Sequence, residues 1–204
     1  MHAYDESYLA EAKDHLGDMF DYAVNTLGME IRDIFERFAY SGTGEMFEYG
    51  HPLFLAGMCG SDLARRVLEN TGRPGPYPDY VFTDYSQEYW AGWALAHFQW
   101  YSGISFKDID RYGLPIEEVV RMYYPLHEAD ISKFLDIAGQ RVHVPEPQLK
   151  EIRKEADMTQ ARLAQLIGVP LRLIRAYEQG TIPLSHAEAG TVARLERVLR
   201  RRLV

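Results

Sequence analysis

The chain has 204 residues, 47% of them hydrophobic and 25% charged, with a formal net charge of −8. That is the profile of a folded protein with enough apolar material to bury a core without disulfides or a structural metal. A lone cysteine, Cys59, rules out an internal disulfide, and no run approaches the roughly 18 apolar residues that span a bilayer. The amino terminus, MHAYDESYLAEAKDHL, is acidic and lacks the apolar stretch of a secretory signal, so the expected compartment is a reducing cytoplasm.

The average charge conceals a split. Residues 1–145 carry 11 Lys and Arg against 23 Asp and Glu, a net −12, whereas residues 146–204 carry 11 against 7, a net +4. Of the 26 aromatic residues, only Tyr177 follows residue 146. Two segments of opposite charge and different core chemistry predict two domains with different partners, over 1–141 and 147–204. Between them, Val142-His143-Val144-Pro145-Glu146-Pro147 disfavours helix on both sides and predicts a short, stiff connector.

Taken in order, the first domain reads as all helical. Asp5 or Ser7 can cap a helix whose stripe is Leu9, Ala12, Leu16, Phe20, Ala23, Val24 and Leu27, ended by Gly28. A second helix runs through Ile31, Ile34, Phe35 and Phe38 to near Ser41-Gly42. Five glycines and a His-Pro over 42–60 predict short helical pieces joined by turns. Ser61 begins a helix through Leu63, Val67 and Leu68, and Gly72-Arg73-Pro74-Gly75-Pro76-Tyr77-Pro78 is the clearest loop. Ser86 to Tyr101 follows as the central helix, apolar on nearly every face. Ser105-Phe106-Lys107-Asp108 resembles a capping box with Asp where Glu or Gln is usual. Pro115 introduces a helix over Ile116–Tyr123, and Leu126–Ala138 supplies the last. No strand, internal repeat or low-complexity tract is evident.

In the second domain, helix one spans Gln148–Ala156, with Leu149, Ile152 and Ala156 inward. Thr159 caps helix two, whose stripe is Leu163, Ala164 and Ile167, and Gly168 supplies a turn needing positive φ. Helix three spans Leu171–Gln179 with Ile174 and Tyr177 inward, closed by Gly180. Ser185-His186-Ala187-Glu188 is an S-x-x-E capping box opening a last helix faced by Val192, Leu195, Leu199 and Leu203. Helices two and three form a helix-turn-helix, which needs small or apolar residues at the crossing and polar residues outside. Ala164 permits close approach and Val169 plugs the corner. Arg172, Arg175 and Gln179 fall outward, with Gln160 at the amino end of helix two. Arginine can bond guanine edges bidentately, worth about 1–3 kcal/mol of discrimination per good pair.

Residues 149–199 resemble the Cro/λ-repressor (XRE-like) helix-turn-helix family, with Thr159, Gln160, Leu163, Ala164, Gly168, Val169, Ile174, Glu178 and Gly180 all in register. The resemblance implies that Gln160 binds a phosphate and buttresses the first recognition-helix side chain. It also implies a buried ion pair between Arg153 and Glu178 joining helices one and three. Two positions depart from the pattern. Pro170 stands in place of a Ser or Thr cap, although proline suits a helix start. Leu171 occupies a position often polar, where it could meet a thymine methyl. The arginines of the tail, Arg194, Arg197, Arg200, Arg201 and Arg202, admit a solvated face, phosphate contact or pairing with the acidic domain.

Catalytic constellations are sparse. His127-Glu128-Ala129-Asp130 lacks the second histidine of a zinc-protease H-E-x-x-H, and no phosphate-binding or dinucleotide-binding glycine motif occurs. No metal, no cofactor and no enzyme activity are expected, and Cys59 reads as a packed thiol. The aromatic richness of residues 1–141 admits a large core with a dimer surface, a surface for a basic protein partner, or a ligand pocket. This domain also resembles a group of uncharacterised bacterial, antitoxin-like proteins through MFDYAVNTLG, the Phe47–Val67 stretch and YYPLHEADISKFLDI. The expected architecture is all-α: a helical domain joined by a proline-containing linker to a λ-repressor-like helix-turn-helix domain. The expected function is a repressor binding double-stranded operator DNA as a homodimer, with a toxin protein as the partner the antitoxin resemblance implies. A ligand-responsive repressor and an interaction module without DNA function stand as alternatives.

Overall fold

Apolar residues spaced three and four apart set where the first helix lies. The computed structural model describes residues 2–81, 84–144, 149–179, 181–182, 184–201 and 203, with Ser185 through its backbone only. Every regular element among the described residues is helical. Two compact units, Met1–His143 and Val144–Val204, make up the chain. The predicted Pro145–Pro147 connector, the helix start at Gln148, the closing Gly180 and Arg202 lie outside the described residues.

In the first unit, Asp5 caps a single 3-10 turn, Glu6–Tyr8, that leads into α1, Leu9–Asp21. The predicted stripe of Leu9, Ala12, Leu16 and Phe20 is buried there. The helix does not run on regularly to Gly28 as expected: its last turn widens into a π-turn, Tyr22–Thr26, with Leu27 N–H bonding back to the Tyr22 carbonyl at 3.0 Å. Helices α2 (Ile31–Ala39), α3 (Gly42–Glu48), α4 (Pro52–Leu55) and α5 (Gly60–Asn70) follow, the two short ones filling the glycine-rich stretch. After a loop comes α6, Gln87–Ser102, capped by the Ser86 side chain and ended by Gly103 in the left-handed region.

α1 and α6 lie against each other along their lengths because glycine removes the obstacle. A Cβ on Gly92 would sit 2.4 Å from the Leu16 carbonyl oxygen, and one on Gly17 would sit 2.8 Å from the Tyr89 ring. α6 is buried on most sides, through Ala91, Ala94, Leu95, Ala96, Phe98 and Trp100, which is why its sequence shows no polar stripe.

The unit closes with α7 (Phe106–Arg111), α8 (Ile116–Arg121), α9 (Tyr123–Leu126) and α10 (Ile131–Arg141). In α7 the Ser105 hydroxyl accepts the Asp108 N–H, and Asp108 accepts that hydroxyl proton at 2.7 Å rather than reaching the backbone. Two expected boundaries were misplaced. The helix from Ile116 stops at Arg121, because the residue before Pro125 is driven to an extended backbone, Tyr124 at φ −93 and ψ 121. The last helix starts at Ile131, capped by Asp130, not at Leu126.

Polar contacts hold the loop before α6 and the helices around α2. Asp21, 6% exposed, accepts from Asn25 at 2.8 Å, the Tyr80 hydroxyl at 2.9 Å and Ser86 at 2.5 Å. Tyr22 donates its hydroxyl to the Pro78 carbonyl at 2.6 Å. Arg32 of α2 bonds Glu117 and Asp110, each at 2.7 Å, tying α2 to α7 and α8.

The second unit contains α11 (Leu149–Glu155), α12 (Gln160–Ile167), α13 (Leu171–Glu178) and α14 (Ala189–Leu199). Its core is Leu149, Ile152, Leu163, Ile167, Ile174 and Leu195, with Ala164, Leu199 and Leu203. The expected capping box at 185–188 does not open α14. Residues 184–186 form a 3-10 turn, and Glu188 is the N-cap, with no side-chain cap bond. Val192 is only half-buried, and Thr191 is the buried neighbour instead.

Glu48, at the end of α3, accepts the Phe106 N–H at 2.6 Å, yet burial pushes its carboxyl up to about 7. Because the folded value exceeds the unfolded one, the burial costs nothing below pH 4.5. The cost grows from there to pH 7 and is complete above it. Denaturant unfolding of the Glu48→Gln variant should therefore show a gain over the native protein that widens between pH 4.5 and pH 8. At roughly 1.4 kcal/mol per unit the gain is on the order of 3 kcal/mol. A constant difference across that range would contradict it.

Candidate nucleic-acid interface

The carboxy-terminal unit presents α13 by fastening its inner side and leaving its outer side open. Thr159 accepts the Arg162 N–H and caps α12. Gly168 adopts φ +69 and turns the chain, while the Val169 N–H bonds the Ala164 carbonyl at 3.0 Å. A Cβ-bearing residue would be strained in that left-handed position. Pro170, with φ −60, precedes the first turn of α13 and gives it no side-chain cap.

Four side chains set how α13 is held. Ile174 is fully buried, and Tyr177 is half-buried against the same core. Arg153 of α11 forms a bidentate pair with Glu178: Nε to Oε1 at 2.6 Å and Nη2 to Oε2 at 3.0 Å. The Glu178 side chain is only 2% exposed. The remaining Arg153 Nη1 donates to the Met158 carbonyl at 2.6 Å, so the guanidinium is bonded through each of its three nitrogens. Burial alone would raise the Glu178 carboxyl, but the hydrogen bonds from Arg153 and Gln160 outweigh it and hold the group below its ordinary value.

Gln160 is the departure from expectation. Its Nε2 donates to Glu178 Oε2 at 2.7 Å, so the side chain braces the far end of α13 instead of its first residue. Nε2 carries a second hydrogen, and the Gln160 and Ala161 N–H groups belong to a first helical turn, which has no intrahelical acceptors. The family resemblance implies the pairing of Arg153 with Glu178, but the sequence holds no signal for the Gln160 bond. That contact depends on the crossing of α12 over α13.

On the outer side, Arg172, Arg175 and Gln179 are exposed. Among the described residues neither guanidinium of α13 enters an ion pair or a side-chain hydrogen bond. Leu171 is half-buried against the core, so only part of it reaches the surface. In the tail, Arg201 bonds Glu155 at 2.7 Å and Arg194 bonds Thr191 at 3.2 Å, while Arg197 and Arg200 are exposed. Arg200 caps α14 with φ +50.

Removing one partner of a buried ion pair leaves the other charge uncompensated. Arg153→Ala should lower the stability of the carboxy-terminal unit by about 3–5 kcal/mol, read by amide exchange over residues 149–199. The joint replacement Arg153→Met with Glu178→Leu should cost less. Because the folded Glu178 value is depressed, its stabilisation is present above the unfolded carboxyl value near 4.5 and lost as pH falls through the lower folded one. Equal losses in the single and joint variants would refute the pairing as a source of unpaired charge.

No curated protein and no solved structure matches the chain. No described helix is long and apolar enough to cross a membrane. Residues 149–204, about a quarter of the chain, match the family described as Helix-turn-helix, the Cro/C1-type fold found in DNA-binding transcription regulators.

Proposed function

We propose that the protein is a sequence-specific repressor that lays α13 in the major groove of its operator. Arg172 and Arg175 read base edges, the exposed part of Leu171 meets a thymine methyl, and Gln179 lies at the end of the reading face. The free hydrogen of Gln160 Nε2 and the first-turn amides of α12 hold a phosphate. The observation that carries this reading is the pair of unengaged guanidinium groups on one side of a helix whose other side is anchored by Ile174 and Glu178. The positive charge of the segment, +4 over residues 146–204, supports it.

One recognition helix reads a short half-site, so the protein acts as a homodimer on a palindrome with centres about one helical turn apart. The amino-terminal unit supplies dimerisation and binds a protein partner. Its resemblance to antitoxin-like proteins supports a toxin as that partner, neutralised by the unit and repressed together with it from one operon.

Arg172→Ala combined with Arg175→Ala should weaken binding to the protein's own promoter by roughly thirtyfold or more, from about 1 kcal/mol or more per lost pair. Binding to scrambled DNA should fall much less, and the folding midpoint should stay put. Fluorescence anisotropy on both DNAs at fixed salt measures this, and unchanged promoter affinity would remove α13 as the reader. Co-expression with the neighbouring genes tests the antitoxin role, which predicts a co-purifying neighbour product.

A further inference from the structure

The amino-terminal unit carries an aromatic corner on its surface at α9. Tyr123 and His127 stack, with ring centroids 4.2 Å apart and planes 20° from parallel. Tyr124 stands across both, edge-on at 4.8 Å and 85° to Tyr123, and at 4.9 Å and 76° to His127. The arrangement is fixed from beneath. His127 Nδ1 lies 2.8 Å from the Tyr123 carbonyl, and the half-buried Trp90 meets Tyr123 edge-on at 6.0 Å. The following proline keeps the Tyr124 backbone extended, and the residue is 73% exposed.

Carboxylates flank this corner. Glu128 Oε1 lies 3.7 Å from His127 Nε2 and is largely exposed. The Tyr123 hydroxyl lies 3.5 Å from the Tyr85 carbonyl, which brings exposed Asp84 alongside. Burial first, then the titrating Tyr124 hydroxyl and the Asp84 and Glu128 carboxylates, hold the Tyr123 hydroxyl above its ordinary value. Ring faces carry negative quadrupole density, and carboxylates beside them add net charge of the same sign.

We propose that Tyr123, Tyr124 and His127, with Asp84 and Glu128, form a docking surface for an arginine-bearing basic segment of a protein partner. A guanidinium can lie flat on one face of the corner while its edge reaches a carboxylate, a use of shape that a lysine ammonium matches less well. Charge complementarity selects the occupant: the surface belongs to a segment of net −12 and offers apolar ring area rimmed by acids, the chemistry of an interface anchor for a basic chain. The proposal rests on reading the amino-terminal unit as partner-binding and names the chemistry of that partner.

The test titrates full-length protein with a hexa-arginine peptide, a hexa-lysine peptide and a neutral hexa-citrulline peptide at low and at physiological salt. Hexa-arginine should bind most tightly, and hexa-citrulline should not bind. Tyr124→Ala should weaken hexa-arginine at least fivefold, and Glu128→Gln should weaken it and flatten its salt dependence. Tyr49→Ala, which alters another exposed aromatic residue (68% exposed), should bind as the native protein does. Equal binding by Tyr124→Ala and the native protein, or equal weakening in Tyr49→Ala, would overturn the proposal. So would failure of hexa-arginine to exceed hexa-citrulline. All variants must keep their melting temperature and promoter affinity, which separates loss of this surface from loss of fold or of DNA reading. If a neighbour's product co-purifies equally with Tyr124→Ala, the partner-binding reading stands and this location for it falls.

Discussion

The presentation of the recognition helix depends on one buried carboxylate. Glu178 closes α13 and takes hydrogen bonds from Arg153 on α11 and Gln160 on α12, so three helices meet on two oxygens. A charge this enclosed is tolerated only when its lone pairs are filled, and here a bidentate guanidinium and an amide fill them. The geometry is directional as well as strong. Ile174 alone could hold α13 against the core through a range of rotations, because apolar contact is non-directional. The forked Arg153 permits few, and the outward placement of Arg172 and Arg175 follows from that restriction.

The two units solve the problem of a buried helix differently. In the carboxy-terminal unit, short amphipathic helices with charged outer faces bury a core made almost wholly of aliphatic residues. In the amino-terminal unit, glycines at 17 and 92 let α1 and α6 approach backbone to ring and backbone to backbone, and α6 is consequently apolar on most sides. Aromatic residues fill the space that such close crossings leave elsewhere, with Phe38, Phe47 and Phe106 meeting at 5.2–5.9 Å. The loop ahead of α6 is held through polar atoms: Asp21 gathers Tyr80 and Ser86, and Tyr22 holds Pro78.

A surface rich in tyrosine on an acidic body gives the amino-terminal unit a chemistry complementary to basic proteins, while the carboxy-terminal unit carries the opposite sign and suits a phosphate backbone.

The all-helical class, the helix-turn-helix and its inner and outer faces were legible from residue spacing, because a 3.6-residue period and a positive-φ glycine act locally. The stripe Leu9, Ala12, Leu16, Phe20 and the stripe Leu163, Ala164, Ile167 needed no tertiary information. Helix ends were less legible. Ser185 and Glu188 have the spacing of a capping box, yet α14 begins one residue after Glu188. The π-turn at Tyr22–Thr26 likewise has no local signature. Pairing at a distance was the hidden part. That Gln160 turns to Glu178 and away from the first residue of α13, that Asp21 serves a loop some sixty residues away, and that Tyr123, Tyr124 and His127 form a corner beside Asp84 were decided only by tertiary structure. The sequence alone determined which faces must be buried, since hydrophobicity is a property of each residue. It left open which polar groups meet, since a hydrogen bond depends on distance and angle between elements that only the packed core brings together.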